Sequence, residues 1–343
     1  MSPEARPSKR ARLSQNGSRL QTSSYTLSMN NLKHHPEFWF DDGNIVLAAQ
    51  GDCFRVYRGL LATQSTVFAG MFPSSSDSVE DALDGYPVIH LTDSPHDLVH
   101  LLRVLLPTSS IRFHTGSHFV RSFNEISAVV RLAHKYCIQS VQDQAVRTLQ
   151  EHYFASDFNA YLGLSKSQIS IDRIHYIGAV NLARLTNTPL LLPMALYGCC
   201  YLGGLLVGGW TREDGTVEHL CMADLKRCFD ARITLVQEQF LLLSCLFDAV
   251  PPEQCAEHGR CAPFLSNIQR KILREEVMMK KDVLWDWSPF MREMKGVCGA
   301  CVQVLLERNR VERQRIWDSL PRIFGIVVEW WGMPNGRGGG DAI

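Results

Sequence analysis

The segment Phe54-Arg55-Val56-Tyr57-Arg58-Gly59-Leu60-Leu61-Ala62-Thr63-Gln64-Ser65-Thr66-Val67-Phe68 decides the fold of the N-terminal part of the chain. Its first four residues alternate with a period of two, which is typical of a β-strand. From Leu60 to Met71 the apolar residues follow a mostly helical spacing that ends at Phe72-Pro73. Residues 38–49 form an aromatic and β-branched run around Asp42-Gly43, a turn signal. The sequence therefore predicts a β-hairpin followed by a helix.

Further strands and helices follow this segment. Val88 to Leu91 is a short apolar run that predicts a strand. Ser94-Pro95-His96-Asp97 combines an N-cap residue, a proline at the first helical position and an early acid, so it marks a helix start. Apolar residues then recur at helical spacing from Leu98 to Leu105. Residues 125–136 and 140–153 predict a pair of amphipathic helices joined by a short turn.

This order of elements, together with several short motifs, resembles the BTB/POZ domain. The similarity covers residues 36–150 and rests on Asp42-Gly43-Asn44-Ile45-Val46-Leu47, Arg58-x-Leu60-Leu61-Ala62-x-x-Ser65-x-x-Phe68 and Met71-Phe72. Asn44 and Tyr57 stand where many members of the family carry Asp and His. The run from Arg131 to Ile138, the Cys-x-x-Cys at 298–301 with the loop before it, and the ending Trp317 to Gly325 also resemble the large fungal BTB family.

The resemblance implies a protein–protein interaction module. Members of the family dimerise or recruit partners through apolar helix and strand surfaces, and they serve as transcriptional regulators or as substrate adaptors for cullin-type ubiquitin ligases. In this chain the surface would involve Phe38, Trp39, Phe40, Leu60, Leu61, Val67 and Phe68. Sequence alone does not separate such a surface from a core. We therefore expect protein partners and a homodimer.

Composition and charge narrow the class of protein. The chain of 343 residues is 45% hydrophobic and 20% charged, with 35 basic and 35 acidic side chains. This composition supports packed cores in two or three domains, and a neutral chain has little affinity for nucleic acid. Residues 1–35 are polar and basic, which predicts a disordered tail. Lys9, Arg10 and Arg12 are either a nuclear import signal or only solubilising charges, so we expect the nucleus or the cytoplasm.

The sequence predicts that the rest of the chain is mostly helical. Residues 151–330 predict a mostly α-helical region and residues 331–343 a flexible tail. The expected fold class is therefore α+β, with a BTB/POZ-like α/β module before a helical C-terminal region. Between Leu185 and Thr211 no residue is charged, but prolines and glycines interrupt the stretch and no cation cluster flanks it. This pattern favours a buried helix, so we expect no membrane partner.

Eleven cysteines occur in a chain whose N-terminus lacks a secretory signal, which favours reduced thiols or metal ligands. Cys255 and Cys261 lie in a polar loop, whereas Cys298 and Cys301 lie at a predicted helix start. A two-residue spacer lets two thiolates reach one tetrahedral ion, and His258 offers a substitute ligand for the looser first pair. Six of the remaining seven cysteines are expected to be small buried hydrophobes: Cys137, Cys199, Cys200, Cys221, Cys228 and Cys245.

Three interpretations of the two cysteine pairs stay open. They form a structural zinc site that clamps the loop to the C-terminal helix, or they are unliganded thiols, including a Cys298/Cys301 redox pair. The third interpretation is a zinc-dependent enzyme that uses Cys298, Cys301 and His258 with an open coordination position. The sequence contains no Gly-x-Ser-x-Gly, His-Glu-x-x-His or Gly-x-Gly-x-x-Gly motif, so we expect no enzyme.

Overall fold

The computed structural model describes residues 32–72, 81–106, 122–164, 171–248, 250–274 and 282–333. Helices account for 59% of the structure and strands for 11%, so the expected α+β class is confirmed. The candidate import residues Lys9, Arg10 and Arg12 lie outside the described residues, as does the predicted C-terminal tail from residue 334 onward. The first strand begins at Lys33, so the last residues of the predicted basic tail belong to the sheet.

A five-stranded mixed sheet lies in the N-terminal part of the fold, with the order β1-β3-β2-β5-β4. Its strands are β1 (Lys33–Trp39), β2 (Ile45–Ala49), β3 (Asp52–Val56), β4 (Ala82–Leu83) and β5 (Tyr86–Leu91). The predicted hairpin consists of β2 and β3, and its turn is Gln50-Gly51, where the φ angles are 46° and 104°. Asp42-Gly43 connects β1 to β2 instead. These two strands are not neighbours, because β1 pairs in parallel with β3.

Five helices complete this α/β module (residues 33–152). They are α1 (Arg58–Gln64), α2 (Thr66–Met71), α3 (Pro95–Leu105), α4 (Phe123–Lys135) and α5 (Gln139–His152). The helix predicted after the hairpin is divided at Ser65, whose extended backbone ends α1 and begins α2. Ser65 Oγ accepts the N–H of Phe68 at 3.0 Å and donates to the carbonyl of Tyr136 in the cap of α4 at 2.6 Å. The division therefore fixes α2 against the end of α4.

The helical region (residues 158–323) follows. Its helices are α6 (Phe158–Leu164), α7 (His175–Leu185), α8 (Leu192–Cys200), α9 (Leu205–Gly208), α10 (Met222–Leu246), α11 (His258–Arg274), α12 (Ser288–Arg292) and α13 (Gly299–Ile323). A small hairpin of β6 (Trp210–Thr211) and β7 (Val217–Glu218) precedes α10. The uncharged stretch contains α8, in which every residue is buried. Among the described residues, no helix is both long enough and apolar enough to cross a membrane.

One hydrophobic core extends through both parts of the described chain, from Phe38 to Phe324. Phe123 of α4 packs against residues of the helical region, with ring centroids 4.9 Å from His175 and 5.4 Å from Trp210. The sheet is buried on both faces, because a smaller cluster that includes Val46 and Val88 lies on the other side. This explains why all five residues of β2 are buried and apolar.

A network of partly buried charges also joins the two parts. Arg212, which follows β6, pairs with Asp97 of α3, and its Nε lies 3.4 Å from Glu218 Oε1. The other carboxylate oxygen of Glu218 contacts Arg131 of α4 at 2.6 Å. The α/β module and the helical region therefore share both a core and an ionic contact in the described part of the chain.

Candidate metal centre and interaction surface

The four cysteines singled out by their spacing come together in space. Cys255 lies in the loop before α11 and Cys261 lies in the first turn of that helix. Cys298 is the N-cap residue of α13, and Cys301 lies in its first turn. The four Sγ atoms all lie within 4.8 Å of one another, although the two pairs are far apart in sequence. The group therefore joins the beginnings of two helices.

The sulfur geometry suits a tetrahedral metal ion. Cys298 Sγ and Cys255 Sγ are 3.7 Å apart. A tetrahedral zinc ion with Zn–S bonds of about 2.3 Å needs sulfurs about 3.8 Å apart. A disulfide needs about 2.05 Å, and all four thiols are free. This group of four cysteines could therefore hold a metal ion.

The surroundings of the cysteine group favour anionic sulfur at some positions and oppose it at others. The backbone N–H of Cys298 donates to Cys261 Sγ at 3.3 Å, a hydrogen bond that joins the two pairs. A backbone hydrogen bond from Cys301, together with the neighbouring thiols, lowers the pKa of Cys298 to about 7. Burial raises the pKa values of Cys255 and Cys301. A bound cation would compensate for the cost of ionising those buried thiols.

A glycine brings the second cysteine pair close to α11. A Cβ atom on Gly296 would lie 2.0 Å from the ring of Phe264 in α11. Only a residue without a side chain therefore lets the loop before Cys298 approach that helix. His258, the predicted substitute ligand, is exposed at the start of α11 and does not belong to the group of four.

The residues predicted for the partner surface divide between core and surface. Phe38, Leu61 and Phe68 are buried in the chain's own core, so they are unavailable to a partner in this conformation. The ring of Phe68, for example, stacks on Tyr136 with centroids 4.1 Å apart. The remaining residues reach solvent: Trp39, Phe40 and Val67 are half-buried and Leu60 is 38% exposed.

The exposed part of this surface centres on the start of α1. Phe40 stacks on Tyr57, the residue before α1, with ring centroids 5.1 Å apart. Leu60 lies in the first turn of that helix, and Met71 at the end of α2 is 37% exposed. Strand β1 is an edge of the sheet, and no strand among the described residues pairs with its outer side. We call Phe40, Tyr57, Leu60 and β1 the α1 face.

Sequence reasoning missed a second set of exposed apolar residues, on α10. Met222, Phe229, Ile233, Val236 and Phe240 are between 45% and 78% exposed, and we call them the α10 stripe. Their spacing of seven, four, three and four residues was a readable signal, since it is a heptad pattern. Sequence did not reveal which face of this helix is buried, because Leu235, Leu242 and other apolar residues occur on the opposite face.

The expectation for the other cysteines is confirmed only in part. Cys199, Cys200 and Cys228 are buried, where α8 meets α10. Cys137 and Cys221 are exposed, as is Cys245, so the expectation of buried thiols is wrong for these three. Each lies near a helix end, which faces solvent.

Comparisons of the chain with protein-family models, curated proteins and solved structures found no match. The resemblance to the BTB/POZ family therefore stays a prediction that depends on the motifs between residues 42 and 72.

Proposed function

We propose that the chain is a protein–protein interaction protein, in which a BTB/POZ-like α/β module dimerises or recruits a partner and a helical region supports it. The observation that carries this proposal is the α1 face, where Leu60 and aromatic side chains reach solvent beside a sheet edge with which no described strand pairs. Apolar and aromatic groups at a surface are typical of interfaces, and an edge strand offers backbone hydrogen bonds to another chain.

The proposal includes two roles for such a module. One is transcriptional regulation, which the basic residues Lys9, Arg10 and Arg12 would support by directing the chain to the nucleus. The other is recruitment of substrates to a ubiquitin ligase. Both roles need the same α1 face, so a single substitution there tests both.

A substitution at Leu60 tests the α1 face. Leu60→Asp places a charge on an exposed residue, so the fold should be retained while association weakens by roughly tenfold or more. Gln144→Asp, at an exposed position of α5 outside the α1 face, is the control and should leave association unchanged. Molar mass would be measured by size-exclusion chromatography with light scattering, and partner capture by pull-down with the full chain. Equal behaviour of both variants and the wild type would contradict the proposal.

We further propose that Cys255, Cys261, Cys298 and Cys301 bind a structural zinc ion. Four thiolates complete a tetrahedral shell, which is typical of structural rather than catalytic zinc. This ligand set argues against the alternative of a zinc-dependent enzyme, because that alternative needs an open position and a ligand such as His258. The ion would hold the starts of α11 and α13 together and so contribute to the stability of the fold.

Metal analysis tests the zinc proposal. We expect about one zinc ion per chain in the purified protein, and loss of that ion in Cys301→Ser. Cys137→Ser, which changes an exposed cysteine elsewhere, should retain it. Chelation should lower the unfolding temperature of the wild type, because binding energy is folding energy in such sites. A protein purified without any bound metal, and unaffected by added zinc, would contradict the proposal.

A further inference from the structure

The α10 stripe is an apolar surface that lies outside the core of the chain. Helix α10 has 25 residues, and its buried face, which includes Cys228, Leu235 and Leu242, packs against α8 and α13. The stripe lies on the opposite side of the helix. Ile233 is 68% exposed and Val236 is 59% exposed, on a face where a surface helix normally carries charged residues. Packing among the described residues therefore does not account for the apolar residues of the stripe.

The spacing of the stripe fits a second helix. From Phe229 the exposed residues follow steps of four, three and four, which keeps them in one line when two helices cross at a shallow angle. Met222 to Phe240 spans about 27 Å along the helix. The exposed fractions of the five stripe residues correspond to roughly 600 Å² of surface, which is the lower end of what each partner buries in a specific interface.

We propose that the α10 stripe is a self-association surface, on which α10 of a second copy of this chain packs in the antiparallel direction. A two-fold axis through the middle of the helix makes the stripe complementary to itself. Phe229 then faces Phe240 of the partner subunit, so the aromatic residues meet each other. In the same register, Ile233 faces Val236 of the partner subunit. This inference rests on a different element from the α1 face and goes beyond the proposed function.

The charge of Lys226 selects the antiparallel direction. Lys226 is exposed and occupies the heptad position between Met222 and Phe229. In a parallel pair it would face the same lysine of the second copy, which is repulsive. In the antiparallel pair it lies beside the last turn of the other helix, at the negative end of that helix's dipole. The apolar contacts and this charge thus favour the same arrangement.

Two complementary substitutions test the pairing and its direction. Val236→Glu and Ile233→Lys each place a charge opposite an apolar residue, so each variant alone should lose self-association by on the order of 100-fold. An equimolar mixture should associate again, because the introduced lysine of one chain faces the introduced glutamate of the other only in the antiparallel pair. Val217→Glu, a half-exposed valine on the β6–β7 hairpin, is the matched control and should behave as the wild type.

Light scattering of the full chain over micromolar concentrations provides the measurement, with circular dichroism to verify folding. A monomeric wild type, or association unchanged by Val236→Glu, would overturn the proposal. Failure of the mixture to associate would overturn the antiparallel arrangement. Association that survives Val236→Glu but is lost in Leu60→Asp would support the α1 face and reject the α10 stripe. Association that survives Leu60→Asp but is lost in Val236→Glu would support the α10 stripe and reject the α1 face as a self-association surface. If both faces associate, the wild type forms species larger than a dimer and each variant reduces them to dimers.

Discussion

Ser65 connects α1 and α2 to the end of α4 through a single buried side chain. Replacing it by alanine removes both the cap of α2 and the donor to the Tyr136 carbonyl. We expect Ser65→Ala to lower the free energy of unfolding by about 1–2 kcal/mol, the usual cost of a lost cap. Thr66→Ala, at the neighbouring exposed position, should cost less than about 0.5 kcal/mol. Denaturant midpoints compare the two variants, and equal losses would contradict the role assigned to Ser65.

Asp224 is a buried carboxylate in the first turn of α10. Arg184 donates to both of its oxygens, at 2.6 Å and 2.9 Å. Burial raises the pKa of Asp224, but the hydrogen bonds and charge of Arg184 outweigh it, so the folded-state pKa is lowered. A lowered pKa means that the ionised group stabilises the fold above its unfolded-state pKa of about 3.9, and that this contribution is lost as the pH falls through the folded-state value.

We therefore expect Asp224→Asn to lower the free energy of unfolding by about 1–3 kcal/mol at pH 7, because a charge-assisted contact with a half-exposed arginine is lost. The deficit should narrow as the pH falls below about 4, because the unfolded wild-type chain then binds a proton that the folded carboxylate does not yet bind, and it should vanish below the folded-state pKa. Asp230→Asn, exposed on the same helix, should have little effect. Urea unfolding at several pH values gives the comparison, and a deficit independent of pH would show that charge is not the cause.

At the residue scale, the sequence predicted which side chains could bind a metal better than it predicted where those side chains lie. The spacing of Cys298 and Cys301 predicted that these thiols share one centre, since a short spacer constrains where both can point. The sequence also named Cys255 and Cys261, but it left open whether His258 replaces one of these sulfurs, because the path of the loop around Cys255 depends on tertiary packing; the structure leaves His258 exposed and outside the group of four.

Helices α7 and α8 illustrate how one glycine sets the distance between two elements. A Cβ atom on Gly198 would lie 2.3 Å from the ring of Tyr176, so the ring packs directly on the α8 backbone. We expect Gly198→Ala to cost about 1–3 kcal/mol, because the surrounding core is packed and the ring must shift. In α2, Gly70 has open space around its Cβ position, so Gly70→Ala should be neutral or slightly stabilising. Thermal unfolding measures both, and similar unfolding temperatures for the two variants would contradict this account.

At the element scale, the local sequence pattern predicted individual strands and helices, but it did not predict which strands pair with each other. A hairpin that includes β3 is present, but its turn is Gln50-Gly51 and not the predicted Asp42-Gly43, because the strand pairing decides which turn closes the hairpin. The parallel pairing of β1 with β3 had no local signal, since it depends on the chain crossing over β2. Likewise, periodicity showed that Leu61 and Phe68 face an apolar environment, but a core and an interface have the same pattern.

The whole molecule is one packed body in its described residues, although the sequence suggested a module and a separate region. The predicted boundary at residue 150 lies inside α5, two residues before that helix ends at His152. The contacts that cross the boundary, such as Phe123 with Trp210, join residues far apart in sequence, and no periodicity predicts them. The stability of the α/β module therefore depends on the helical region, since the main core is shared by both parts.

A shared core and a shared charge network imply that both parts unfold together. In native-state hydrogen exchange, the slowest amides of β2 and of α8 should have the same opening free energy and the same dependence on denaturant. Arg212→Met should lower both values equally, by about 3–5 kcal/mol, because it leaves the carboxylates of Asp97 and Glu218 without their common partner. Arg292→Met, at an exposed arginine of α12, should change neither value. If Arg212→Met lowered the opening free energy of α8 and left that of β2 unchanged, the two parts would be separate folding units, because coupling through a common core requires both to respond to the loss of a contact that joins them.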